Sequence, residues 1–275
     1  MFELFADYHT HTRHSHGTGT VLDNVQAARK RGLSEVAITD HGPGSLPWIG
    51  VRGGPDKLRA IARETRHYTQ VFGDIRVLVG VECNVMTLEG ELDVTKPVLK
   101  ELDLTLCGLH PLVVPPTLHD AIHLFGLNTA GRYSRRLARR SRVANTKALT
   151  EAVRRYDVDI VTHPGLKLSI DTRTLASVCA DRGTALELNA AHSRMTVEYA
   201  RVAAREGCLF AIDSDAHRPE DVGRLAPAIA VARAAGLTAD QIINARAPGQ
   251  GRISPGSDEL QTRGQSSRGR GSSER

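Results

Sequence analysis

Seven short apolar runs in this chain end in, or lead into, a histidine or a carboxylate. Phe2–Ala6 leads to His9, Glu35–Thr39 to Asp40, Ile75–Val81 to Glu82 and Leu102–Leu109 to His110. Asp159–Thr162 leads to His163, Ala185–Leu188 carries Glu187, and Leu209–Ile212 leads to Asp213. Helix-like segments lie between them, at Leu22–Lys30, Pro55–Gln70, Asn145–Arg155, Thr172–Asp181 and Thr196–Glu206. Apolar strands in βα alternation predict a parallel sheet covered by helices. An open sheet gathers ligands only where its strand order reverses, whereas a closed barrel brings the C-terminal end of every strand to one site. Polar residues at seven strand ends therefore predict an α/β fold closed into a seven-stranded barrel.

The residue types at those ends are metal ligands. His9 and His11 are two apart, so on a continuing strand both imidazoles point the same way, with Thr10 opposite. Asp215-Ala216-His217 repeats this alternation after the last strand, which a closed barrel places beside the first. His41 precedes Gly42-Pro43, and His110 and His163 each precede a proline, so abrupt turns fix these imidazoles in place. Glu82 ends the most apolar strand, where a carboxylate is costly unless paired or bound to metal. Imidazole with carboxylate suits borderline and hard divalent ions.

With 275 residues the chain can build one large domain with a sizeable core. Residues 1–248 are read as that domain, and 249–275, rich in Gly, Ser, Arg and Gln, as a disordered tail. The segment of about 111–147 is too long for an ordinary βα loop and predicts a flap or an extra helical hairpin. It contains Arg132, Arg135, Arg136, Arg139, Arg140, Arg142 and Lys147 with no acid among them, a patch able to attract phosphate or DNA. Cys83, Cys107, Cys179 and Cys208 lack close pair spacing and read as small buried hydrophobes. The first residues do not form a signal peptide and no run reaches 18 apolar residues, so a cytoplasmic protein with no membrane partner is expected.

The motifs resemble those of the PHP (polymerase and histidinol phosphatase) family, over about Met1 to Arg246. Within it the chain resembles stand-alone bacterial phosphoesterases and the module attached to bacterial family X DNA polymerases. The matching segments are Asp7-Tyr8-His9-Thr10-His11 with His16-Gly17, Ile38-Thr39-Asp40-His41-Gly42, and Gly80-Val81-Glu82-Cys83-Asn84 with Gly90-Glu91-Leu92-Asp93. His110, Thr162-His163-Pro164-Gly165 and Ser214-Asp215-Ala216-His217 complete the set. The resemblance implies a distorted (β/α)7 barrel of TIM-barrel type holding three divalent ions, Zn2+ first, with Mn2+ or Fe2+ as alternatives. It implies His9, His11, Glu82 and Asp215 around one ion, Glu82 bridging to a second with His110 and His163, and His16, His41 and His217 around the third. The loop after His11 is one residue shorter than in some relatives, which makes His14 a rival to His16. Gly17-Thr18-Gly19-Thr20 fits the family's continuation and favours His16.

Asp7 and Asp40 each precede a ligand, and alternation turns them away from it, towards accepting an imidazole N–H. Asp213 and Glu187 are expected near the ions, and His192 and Arg194, with His14 and Lys167, on loops where they can grip phosphate or protonate a leaving oxygen. His67, His119 and His123 fall in helical patterns and are assigned no chemistry. The expected reaction is hydrolysis of a small phosphomonoester by a metal-bound hydroxide, since a dianionic ester repels hydroxide unless positive charge is concentrated on it. The alternative is 3′–5′ exonuclease or DNA 3′-end processing at the same centre, prompted by the Arg-rich segment. No Gly-x-Ser-x-Gly and no Gly-rich phosphate loop is present, which argues against acyl transfer and nucleoside triphosphate hydrolysis.

Overall fold

A computed structural model describes residues 1–192 and 194–250. Nine strands and nine α-helices are assigned among them. The strands are β1 (Glu3–Leu4), β2 (Ala6–Asp7), β3 (Glu35–Ile38), β4 (Arg76–Asn84) and β5 (Leu104–Gly108), then β6 (Ile160–Val161), β7 (Ala185–Asn189), β8 (Leu209–Asp213) and β9 (Ala245–Arg246). The helices are α1 (Val21–Lys30), α2 (Gly54–Phe72), α3 (Lys96–Leu99), α4 (Leu118–Asp120) and α5 (Leu127–Gly131), then α6 (Arg135–Arg155), α7 (Thr172–Arg182), α8 (Val197–Arg205) and α9 (Ala226–Ala235). β2 to β8 form one sheet in sequence order, parallel throughout, that curls into a nearly closed, distorted barrel of TIM-barrel type.

Strand periodicity sorts the residues into layers. Ala37, Leu78, Leu104, Leu106, Ile160, Ala185 and Ala211 form a small core with Tyr8 inside the barrel. Their neighbours Val36, Val77, Leu186, Phe210 and Ile212 belong to the larger core between sheet and helices. Both faces are buried, so the strands read as unbroken apolar runs. Two residues on from an inward apolar side chain the next position shares its face. Glu187 and Asn189 thus follow Ala185, Asp213 follows Ala211, and Glu82 and Asn84 continue the face of Leu78. Apolar residues fill the lower barrel and polar ones its upper rim.

Closure between the first and last strands is not a regular ladder. At the rim, His11 donates its N–H to the Ala216 carbonyl (2.8 Å) and Ala216 donates to that of His9 (3.2 Å). Lower down, residues 242–244 wedge into the seam. Ile243 donates to the Phe210 carbonyl and Phe5 to the Asn244 carbonyl. The buried Asn244 side chain donates to the carbonyls of Ala6 (3.1 Å) and Ile212 (2.7 Å) and accepts from the Ile212 N–H (3.0 Å). The first strand, expected unbroken over Phe2–Ala6, is split by this arrangement. Glu3–Leu4 pairs antiparallel with β9, and the chain enters the barrel only at Ala6.

The long insertion is a helical hairpin. α4, a π-helical turn (Ala121–Gly126) and α5 lead into α6, which begins ten residues before the expected Asn145. Ser134 caps α6, and Asn128 and Asn145 bond across the hairpin. All four cysteines are buried and free. No described helix is long and apolar enough to cross a membrane. The expected tail falls, from residue 251, outside the described residues.

Candidate metal centre

Glu82 sits at the middle of the rim, fully buried, and imidazoles converge on both of its oxygens. Oε1 lies 3.1 Å from His110 Nε2 and 3.0 Å from His163 Nε2. Oε2 lies 2.8 Å from His41 Nδ1, 3.3 Å from His9 Nε2 and 3.6 Å from His11 Nε2. Asp215 Oδ1 approaches His11 Nε2 (3.3 Å), His9 Nε2 (3.5 Å) and His217 Nδ1 (3.5 Å). The His16 ring packs on those of His217 (4.2 Å between centroids) and His41 (4.9 Å). Three overlapping triads have geometry able to hold a cation: His9–His11–Asp215, His41–Glu82–His110 and His11–His41–His217.

Surrounding acceptors fix which ring nitrogen faces the centre. His9 donates from Nδ1 to Glu187 (2.7 Å), His110 from Nδ1 to the Asn84 carbonyl oxygen (2.8 Å), and His217 from Nδ1 to the Asp215 backbone carbonyl (2.9 Å). Each bond leaves Nε2 with a free lone pair, as metal-binding histidines require. Glu187 also accepts from the His163 N–H and Asn189. Inside the cluster, Glu82 Oε2, His11 Nδ1, His41 Nδ1 and His217 Nε2 are buried without a hydrogen bond. The short His41–Glu82 approach lacks hydrogen-bond alignment. Unpaired buried polar atoms are costly, and divalent cations satisfy this donor set. The residues fit a multinuclear metal centre.

The electrostatics divide the rings into two groups. Burial lowers the pKa of His11, His16, His110 and His217, reaching about 4 for His16 and His110, a direction that favours the neutral ring a divalent ion needs. For Glu82 and Asp215, burial acts upward but the surrounding imidazoles prevail, and both stay well below the usual carboxylate range. His9 and His163 go the other way: burial lowers them, but Glu82 and neighbouring acids outweigh it. His163 (φ 28°) and Asp215 (φ 53°) occupy the left-handed region, which non-glycine residues rarely adopt. Such strain persists where surrounding structure over-determines the conformation, as it does at functional sites.

Buried acids hold the loops that carry the ligands. Asp40 accepts from the N–H and hydroxyl of Thr12 and the Ser15 hydroxyl, pinning the His11–His16 turn. Asp7 accepts from the N–H and hydroxyl of Ser214 and from the Gly223 N–H, holding the segment before Asp215. Both were expected to receive an imidazole N–H, and both instead satisfy hydroxyl and backbone donors of loops that lack strand partners. Asp93 does the same for Gly44 and Asn84 beside His41. It packs so closely that a Cβ on Gly42 would lie 2.3 Å from its carboxylate. Asp213 accepts from the Tyr8 N–H (2.7 Å) and Asn244, bracing the seam.

The rim residues separate. His192 is half-exposed, with Nε2 3.7 Å from Asp215 Oδ2, and lines the pocket over the cluster together with Lys167. Arg194 lines a neighbouring cavity instead. His14 turns to Glu64 (2.9 Å), whereas the His16 ring packs on that of His217. His119 and His123 pair on the hairpin. Asn84, Asn189, Thr12 and Ser15 also serve the site, for the most part without a signal in residue type or motif. Asn189 was within reach, because it lies two residues beyond Glu187 on the same inward face.

The PHP domain family matches residues 7–162. A Thermoanaerobacter sp. protein described as a probable phosphatase is 31% identical over 252 residues, covering 88% of this chain and 91% of that one. A Proteus mirabilis protein described in the same words is 31% identical over 227 residues, covering 79% and 80%. The crystal structure of histidinol phosphate phosphatase from Lactococcus lactis, complexed with zinc, L-histidinol and phosphate, superposes with a TM-score of 0.59 at 13% identity, covering 85% of this chain and 94% of that one. With the matched segment spanning β2 to β6 and the rim histidines it carries, the chain belongs to the PHP-domain family.

Proposed function

We propose that residues 1–248 form a metal-dependent phosphoesterase domain that hydrolyses small phosphomonoesters at a three-ion centre. The observation that carries this reading is the convergence of imidazoles on both oxygens of the buried Glu82. The ligands are His9, His11, Glu82 and Asp215 for one ion, Glu82, His110 and His163 for the second, and His16, His41 and His217 for the third. Zinc is the first choice of ion: the donors accept zinc, manganese or iron, and the Lactococcus protein of the same fold contains zinc. Divalent ions there supply the positive charge a phosphate dianion needs and lower the pKa of water.

The chain's own groups do the rest. Glu187, Asn84 and the Asp215 carbonyl hold the Nδ1 protons of His9, His110 and His217, so the rings keep their orientation through turnover. Ile49, Leu109 and Leu112 wall the pocket and limit water. Lys167 stands at the pocket mouth, on the side from which the leaving group departs, and His192, beside Asp215, delivers a proton to the leaving oxygen. The test is metal analysis joined to an assay. Chelated protein should be inactive towards p-nitrophenyl phosphate and regain activity with zinc, manganese or iron, binding more than two ions per chain. Saturation at one ion, or full activity after chelation, would refute the reading.

A second reading rests on the outer face of α6. Arg135, Arg136, Arg139 and Arg140 are exposed there, opposite the buried Ser141, Asn145, Ala148 and Ala152. Such a face suits a phosphate backbone, which favours DNA 3′-end processing. If single-stranded DNA is the better substrate, and its turnover collapses with salt and on changing these four arginines to Ser, this second reading replaces the first.

A further inference from the structure

The pocket above the ligand cluster has a volume of only about 140 Å3. Sites that enclose a whole small ligand run to roughly 300–1,000 Å3, so a bound ester has to extend out of it. Beside it, on the same β6–α7 and β7–α8 loops, opens a second cavity of about 430 Å3. Lys167 lines both. The second cavity is also lined by Arg194 and by the hydroxyl residues Ser169, Thr172, Thr196 and Tyr199, and among the described residues no carboxylate lines it; Glu198 is hydrogen-bonded to the Thr196 hydroxyl. Asp171, at the start of α7, is engaged elsewhere: it caps that helix and lies 3.8 Å from Arg142. Lys167 itself is held at φ 60°, a left-handed conformation unfavourable for a side chain of its kind.

We propose that this second cavity receives the leaving group, and that the leaving group is itself anionic. The preferred substrates are then bisphosphates, or phosphate esters bearing a carboxylate, with one phosphate over Glu82 and the second anionic group between Lys167 and Arg194. Two cations and the hydroxyls of Ser169, Thr172 and Tyr199, with no acid among the described lining residues, make a site for an anion with several acceptor oxygens. The inference rests on the phosphoesterase reading above and names the substrate class for that site.

The experiment uses the full chain loaded with zinc and compares propane-1,3-diol bisphosphate with the monophosphate of the same diol. The expected kcat/KM ratio is about tenfold in favour of the bisphosphate, the scale of one well-placed charge-assisted contact. Arg194→Gln and Lys167→Gln should each reduce this ratio to about twofold or less, and Arg194→Lys should restore part of it. Calorimetry gives a readout independent of turnover. Propane-1,3-diyl bisphosphonate should bind about tenfold more tightly than propylphosphonate, and Arg194→Gln should abolish the difference. A ratio near one in the wild type, or one undiminished in both variants, would overturn the inference while leaving the phosphoesterase reading intact. If neither ester is turned over, that reading fails, and the calorimetric preference alone then decides whether the second cavity binds anions.

Discussion

Asn244→Ala should destabilise the barrel far more than the loss of one small polar side chain suggests. Asn244 is fully buried in the seam, where its amide takes the place of a neighbouring strand's peptide group for Ile212 and also holds the Ala6 carbonyl. Truncation leaves three main-chain groups without partners: the N–H and carbonyl of Ile212 and the carbonyl of Ala6. At about 1–1.5 kcal/mol each, within the usual cost of an orphaned buried group, the loss comes to about 3–4.5 kcal/mol. That is a large share of the about 5–15 kcal/mol that holds a domain folded. Asn244→Asp should be at least as harmful, since it removes both donors and sets a carboxylate against two carbonyls and Asp213. Urea unfolding of chelated protein, compared at equal slope, measures the difference, and hydrogen exchange at the Ile212 amide reports on the seam directly. An Asn244→Ala protein within about 1 kcal/mol of wild type, with the Ile212 amide still protected, would show that the seam does not depend on this side chain.

His41→Ala, His163→Ala and Asp215→Ala should each lower phosphatase activity by about 100-fold or more, with His67→Ala nearly silent; equal activity across the set, with contaminating phosphatase excluded, would end the proposed mechanism. His16→Ala should bind fewer ions per chain than wild type while His14→Ala keeps the full number, and elemental analysis showing the reverse would move the ligand to His14. Glu35, held by Tyr8 and near Arg76, has its pKa raised by burial. The folded state therefore keeps that proton longer than the unfolded chain does, and stability falls as pH rises from the ordinary carboxylate range through the folded pKa. Glu35→Gln, which keeps an acceptor for Tyr8, should flatten this part of a melting-temperature profile, and an unchanged slope would assign it to other buried acids.

The site was more legible in the sequence than the barrel that carries it. Metal ligands advertise themselves twice, by residue type and by position after an apolar run, and strand alternation then dictates which of them face inward. Asn244 and β9 carry no such signal. Two paired residues have no periodicity, and their partners in β1 and at Ala6 lie more than 200 residues away in sequence. The start of α6 was missed for a different reason. Arginine is a good helix former, but the face of this helix that packs inward near its start is made of Ser141, Ala144 and Asn145 rather than large apolar residues, so the amphipathic stripe is absent. The partners of Asp7 and Asp40 belong to loops whose path local patterns do not fix.

Those loops explain how the barrel can hold so many unpaired donors in one place. Contacts of hydrogen-bond length inside the cluster, such as those of His110 and His163 with Glu82, leave four of its buried atoms without a partner, so they do not set its shape alone. Its geometry also comes from outside. Asp40, Asp93 and Asp7 each accept several bonds from the turns next to His11, His41 and Asp215, and burial raises the pKa of all three carboxyls, a sign that each is held at some cost. Glu187 and Asn84 orient rings from behind. The chain therefore meets the expense of ordering the ligands when it folds, and divalent ions that bind the finished site return stability in proportion to their affinity. A cluster organised after binding would need no such ring of buried acids.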